Sequence, residues 1–281
     1  MDQQDPLSAL GETLSIPTLP AVVMEVNRMV ADPTLGASDI GAVIASDPGL
    51  ASKVLQVANS SFFGLSEEVL SAEHAATVIG GAGLKNIALQ ASIMGAFEKF
   101  SNLPDFDLED LWNHSLFTAQ VCRLLASRSK PIGLLSPDDF YTCGLLHDVG
   151  KVVLLDNIGD EYLEVIRLAR HVGQALHVCE KEQLGYTHVD VGVRVSTYWD
   201  FPAAIQGAIA YHHGPKEQVF GNPAVALVAI ADQLTYRAAS SSFESAAERL
   251  GGMAGALLGM TREDYAEVVN ETSRFAEEAE V

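Results

Sequence analysis

Basic residues are scarce in this chain: 17 Lys and Arg stand against 37 Asp and Glu, a net charge of −20 over 281 residues. Such a field repels nucleic acid backbones and anionic membrane surfaces, so neither is an expected partner. A small phosphorylated ligand fits only where a metal ion or a local lysine reverses the field. Cysteine is also scarce. Cys122, Cys143 and Cys179 are isolated in apolar settings, with no pair spaced as a metal knuckle or redox motif. Buried reduced thiols in a cytoplasmic protein are expected. No run reaches the roughly 20 apolar residues that a membrane helix needs, and MDQQDPLSAL at the start lacks the charged-then-apolar pattern of a signal peptide. Strand signals are few: β-branched alternation is rare and there is no Asn-Gly or Asp-Gly hairpin turn.

What the chain does have is helical periodicity. Hydrophobic residues make up 48% and charged residues 19%, the balance of a globular protein with aliphatic packing. Val22, Val23, Val26, Met29 and Val30 repeat at spacings of three and four up to Asp32-Pro33. Ser38 is placed to cap a second helix, and a third runs from about Gly49 to Ala58. SAEHAATVIGGAGLKNIALQASIM predicts helix on both sides of Gly80 to Gly83, with the glycines as a turn. That cluster lacks the strand and the Gly-Lys-Ser/Thr ending of a phosphate loop, so tight packing is its better explanation. Further helices are expected over Leu108 to Ser127, over Asp138 to Val149, where the helix carries the His147-Asp148 pair, and near 159–172, 174–182, 187–199, 202–213 and 222–239. Thr261 and Asp264 form a capping box for the acidic tail. Trp112 and Trp199 are expected in the core.

Composition shifts at KFSNLPDFDLED, and Pro104 makes it a boundary. The expected division is an N-terminal helical part over 1–103, a helical core over 104–240, and C-terminal helices over 241–281 packed on that core.

The chemistry begins with GLLHDVGK. His147 and Asp148 side by side are weak evidence alone, and a helix end where the histidine complements the dipole and Gly150 stops the helix is the other explanation. Other residues accompany them. His114 follows Asp110 by one turn, so the two share a helix face. His188, the adjacent His212-His213, and Asp232 in AIADQL complete the set. Asp232 is informative, because a carboxylate inside an apolar helix must be paired, bound to metal or exposed. Imidazole and carboxylate ligands suit Mn, Fe, Ni, Zn or Mg, and a mixed set this large suits one or two divalent ions. His188 and His212-His213 are also explained as satisfied histidines at helix ends, and Lys151 as a solvated cation. His74, His171 and His177 have no place in the set. Asn59, Ser60, Phe62 and Phe63 form a polar-aromatic turn, either a partner-binding edge or a staple between lobes.

In order, a histidine, the HD pair followed by Gly-Lys, then a histidine, a His-His pair and an aspartate on successive helices resemble the HD superfamily of metal-dependent phosphohydrolases. IPTLPAVVMEVNRMVADP, IASDPGLASKVLQVANSSFFGL and AATVIGGAGLKNIAL narrow the resemblance to the HDOD domain, the HD-related output domain of bacterial signalling proteins, over roughly residues 12 to 240. This resemblance implies an all-α fold with an HD-like helical core and an N-terminal helical subdomain. It implies a signalling or regulatory role, with a signalling protein or a small phosphorylated ligand as partner. It places His114, His147, Asp148 and Asp232 around one metal, with Asp110 in support. Asp148 would bridge to a second ion held by His188, His212 and His213, and Lys151 would face a phosphate oxygen. Many HDOD proteins have lost these positions, whereas here every matched position keeps a ligand-type side chain. Metal-dependent hydrolysis of a nucleotide or other small phosphate ester is therefore the alternative activity. GPKEQVFGNP after His212-His213 lacks the elements of the related HD-GYP enzymes, which argues against cleavage of cyclic di-GMP. The chain holds no receiver, GGDEF-like or DNA-binding segment.

Overall fold

A computed structural model describes residues 14–30, 32, 34–60, 65, 68–100, 103, 106–238 and 243–279. Phe62, Phe63, Pro33 and Pro104 lie outside the described residues. Among those described, the secondary structure is helical throughout, with no strand. None of the helices is long and apolar enough to cross a membrane. The chain forms two compact units, residues 17–100 and residues 1–16 with 101–281.

The smaller unit contains α1 (Ala21–Val30), α2 (Ala37–Ala45), α3 (Pro48–Ala58) and α4 (Ala72–Phe97), followed by a 3₁₀ turn, Glu98–Phe100. Helix α2 starts one residue before Ser38. Its cap is Gly36, whose amide donates to Asp39 Oδ2 at 2.8 Å. Asp47 caps α3 by accepting from the amides of Gly49 and Leu50, and Pro48 has the fixed φ suited to a first helical position. In α4 the helix is interrupted at one residue, Gly80, with φ 82° and ψ 165°, a conformation that a Cβ all but forbids. Leu84, Ile87 and Leu89 of α4 pack with Ile40 and Ile44 of α2 and with Val54 of α3 to form the core of this unit. Asn59 ties down the chain after α3, pairing through its side-chain amide with both backbone groups of Val69 at 2.7 and 2.8 Å.

The larger unit contains α5 (Leu108–Arg128), α6 (Pro137–Leu146), α7 (Val149–Val172), α8 (Leu176–Leu184), α9 (His188–Tyr198), α10 (Ala203–Tyr211), α11 (Lys216–Gly221), α12 (Pro223–Arg237), α13 (Phe243–Met253), a π-helical turn, Ala254–Leu258, and α14 (Arg262–Ala279). Caps set its register. Asp107 starts α5, Ser136 with Asp139 starts α6, and Thr187 with Asp190 starts α9. Thr261 accepts the Asp264 amide at 3.1 Å as α14 begins. Helix α12 is almost wholly buried, from Ala224 through Thr235, and lies against α5, α6 and α10. Trp112 and Trp199 are core residues, and the three cysteines are buried with no disulfide joining them.

One boundary differs from the sequence pattern. The helix that begins near Asp138 does not carry the HD pair: α6 stops at Leu146, His147 and Asp148 form the junction, and α7 starts at Val149. Gly150 therefore opens a helix rather than closing one. It is needed for close approach, because an added Cβ would overlap the carbonyl oxygen of His188 and lie 2.8 Å from the Gly192 amide nitrogen. The absence of a side chain lets α7 meet α9 here.

Candidate metal centre

Helix ends aim three of the histidines. His147 follows the last residue of α6 and His212 the last residue of α10, where helix carbonyls have no intrahelical donor. Each ring turns back onto the carbonyl three residues earlier, His147 Nδ1 on Gly144 at 2.7 Å and His212 Nδ1 on Ile209 at 2.8 Å. A carbonyl only accepts, so Nδ1 carries the proton in both and Nε2 points inward with its lone pair. His188, the first residue of α9, does the same through a carboxylate, with Nδ1 2.7 Å from Glu180 Oε2.

These nitrogens surround Asp148, whose two oxygens face different neighbours. Oδ1 lies 3.2 Å from His188 Nε2 and 3.7 Å from His212 Nε2. Oδ2 lies 3.3 Å from His147 Nε2 and 3.8 Å from His114 Nε2. Asp232, delivered from within apolar α12, also faces two ways, with Oδ1 3.1 Å from His114 Nε2 and Oδ2 4.0 Å from His213 Nδ1. Two sets of potential ligand atoms result: Asp148, His188, His212 and His213, and His114, His147 and Asp232.

The donor chemistry fits a cation. His147 Nε2, Asp148 Oδ1, His188 Nε2 and His212 Nε2 are buried and make no hydrogen bond. Lone pairs facing one another in a dry interior are costly unless a proton or a metal lies between them. Without an ion, protons serve. Burial pulls the His147 imidazolium down, yet Asp148 and Asp232 overcome it and push the group up to about 10. Burial favours a neutral Asp148, and His147 and Lys151 reverse this, holding it well below the usual carboxylate range. Asp232 is held low despite burial by His114 and His147. Burial, with His212 and His188 nearby, drives His213 down to about 2, so it stays a neutral ligand-type ring.

The structure thus brings together His114, His147, Asp148, His188, His212, His213 and Asp232. Asp110 does not join them. It is exposed in the first turn of α5, because the four residues to His114 carry it about 6 Å along the helix axis, and its amide donates to the Asp107 cap. Lys151 is present, with Nζ 2.5 Å from Asp148 Oδ2. The sequence pattern passed over Glu180, which is fully buried and bonded to His188 and to Tyr162. The available signal was the four-residue spacing of Leu176, Glu180 and Leu184, which puts a carboxylate on an apolar stripe. His177, expected to lie outside the set, packs beside it, with its ring stacked on that of His213 at 4.3 Å.

The model of the HDOD domain matches residues 16–215. An uncharacterized protein of Treponema pallidum is 27% identical over 218 residues, covering 77% of this chain. The chain spans 41% of that curated relative's length. Among solved structures, an HDOD domain protein of unknown function from Geobacter sulfurreducens is similar at TM-score 0.77 and 26% identity, with 97% of this chain and 95% of that one covered. A candidate signal transduction protein from Marinobacter aquaeolei matches at TM-score 0.74 and 25% identity, covering 99% of this chain and 60% of that one. A candidate phosphohydrolase from Shewanella amazonensis has the same fold, at TM-score 0.76 and 22% identity, with 99% and 96% covered.

Proposed function

The chain belongs to the HDOD family, and from that premise we propose that it is a regulatory module of bacterial signal transduction whose helical core holds a pair of divalent cations. The observation that supports this is the convergence of four buried, unbonded ligand atoms on one another, with Asp148 between the two sets. His114, His147 and Asp232 would hold one ion and His188, His212 and His213 the other, each with one oxygen of Asp148. Imidazole-rich sets favour Mn, Fe, Ni or Zn over Mg. The similarity to the Marinobacter protein supports the signalling role. The partner is another signalling protein or a small phosphorylated ligand, since the net charge of −20 disfavours nucleic acid and anionic membrane. Buried thiols suit a reducing cytoplasm.

A second reading, hydrolysis of a nucleotide or other small phosphate ester, is favoured by the rim of the site. The side chains of His114 and His213 are each 20% exposed and that of Lys151 19%, whereas those of His147, His188 and His212 are fully buried. A ligand would approach past these three partly exposed side chains, of which Lys151 carries a positive charge paired with Asp148. Bound cations would supply Lewis acidity toward phosphate oxygens. The chain's own residues would orient the ester and exclude water from the far side.

Elemental analysis of untagged wild type beside Asp148→Ala tests the centre: two equivalents of metal in the wild type and a loss in the variant are expected. Capture of a partner by metal-loaded but not by metal-stripped protein would support the regulatory reading. Equal capture by both forms would sever regulation from the centre. Turnover of a phosphate ester that Asp148→Ala abolishes would favour the second reading.

A further inference from the structure

We infer that Glu180 is the positioning residue of the second ligand set, its carboxylate fixing the His188 ring so that Nε2 faces Asp148 with a lone pair available to a cation. This rests on the metal-centre reading above. His147 and His212 sit at helix C-termini, where a free carbonyl is in reach of Nδ1. His188 opens helix α9 instead. A helix N-terminus offers only N–H donors, so an acceptor for Nδ1 has to come from another element. Helix α8 supplies it.

The geometry fits this role better than packing alone. Glutamate is rarely fully buried, and its neighbours Lys181 and Glu182 on α8 are exposed. Glu180 is 0% exposed and accepts three hydrogen bonds. Its Oε2 takes the backbone N–H of His188 at 2.8 Å and the ring Nδ1–H at 2.7 Å. Its Oε1 takes the hydroxyl of Tyr162, itself fully buried, at 2.6 Å. Tyr162 satisfies the other oxygen, while Oε2, bonded to both N–H groups of His188, sets the His188 tautomer and its ring plane. A buried acid required only to fill space would be replaced by an apolar side chain at little cost.

The test measures zinc uptake by the full chain, by chelator competition and elemental analysis, in wild type, Glu180→Gln, Glu180→Ala and Tyr162→Phe. Glu180→Gln keeps the shape and an acceptor but loses the charge, so it should fold with wild-type helix content. The expected result is one zinc bound about 10- to 100-fold more weakly in Glu180→Ala, the other unchanged, with most of that loss recovered in Glu180→Gln, whose amide oxygen still accepts the Nδ1–H. Tyr162→Phe should bind zinc as the wild type does, while unfolding at lower denaturant. Wild-type zinc affinity in Glu180→Ala would overturn the inference, as would an equal loss in Tyr162→Phe, which would mark a packing effect. If the wild type takes up no zinc, the metal-centre reading fails, and the role of Glu180 is then decided on metal-free protein by NMR. A slowly exchanging, downfield Nδ1 proton of His188, present in wild type and lost in Glu180→Ala, upholds the positioning role. Its absence from the wild type overturns that role.

Discussion

The carbonyl oxygen of His188 occupies the space that a side chain on Gly150 would need. Two residues after the HD pair, this contact holds the start of α7 against the start of α9, and so holds Asp148 near His188 Nε2 at 3.2 Å. Gly150→Ala should push the helices apart. Alanine favours a helix by up to about 1 kcal/mol over glycine, but overpacking of about 1–3 kcal/mol or more opposes it. The net expectation is lower stability in chemical denaturation together with weaker metal uptake, and an unchanged midpoint would show that α7 and α9 separate without cost.

The division of ligands between Asp148 and its neighbours predicts separable losses. His212→Ala should remove one equivalent of metal and leave the His114, His147 and Asp232 set loaded. Asp148→Ala, which removes the oxygen facing each set, should lower the affinity of both ions. Elemental analysis distinguishes these patterns, and loss of a single equivalent in Asp148→Ala would exclude a bridging role.

Lys151 neutralises Asp148 in this structure, so its removal separates binding from chemistry. Lys151→Ala should retain metal, because a competing cation leaves the carboxylate. If the centre hydrolyses esters, turnover of bis(p-nitrophenyl) phosphate should fall by about tenfold or more, the size of effect a positioned cation produces. Equal rates would remove Lys151 from any phosphate contact.

Metal should stabilise the fold, by about 2.7 kcal/mol for one site at 100 times its Kd, seen as a rise in melting temperature that chelator reverses. Protons compete with the ion. His147 is raised from 6.5 to about 10, by Asp148 and Asp232 against the pull of burial, so in metal-free protein its stabilising proton is fully held below pH 6.5 and lost as pH rises through 10. Loading with zinc at pH 8 should therefore release about one proton from this group. A weakly buffered titration with a pH indicator measures it, and no release would mean that His147 stays protonated and does not ligate.

Part of this arrangement is legible in the sequence. Asp232 stands out as a carboxylate within the apolar AIADQL. The matched order of residues groups the side chains that the structure brings together, Asp110 excepted. Glu180 was hidden because α8 is short and mostly polar, so its inward face stands out only once Leu176 and Leu184 are seen to flank it. Asp110 misled because the face it shares with His114 continues past the end of the buried region.

Most helices, the capping box at α14 and the side-chain types of the centre follow from the sequence, because periodicity, Thr and Asp at a helix start, and the expense of a buried charge all act over a few residues; the Gly36 cap of α2 and the break between α6 and α7 do not. Tertiary structure decided which lone pairs meet. The opposed oxygens of Asp148, the reach of Glu180 from α8 to His188, and the closeness that Gly150 permits each join residues on different helices. Their distances depend on how whole helices pack, which no local pattern specifies.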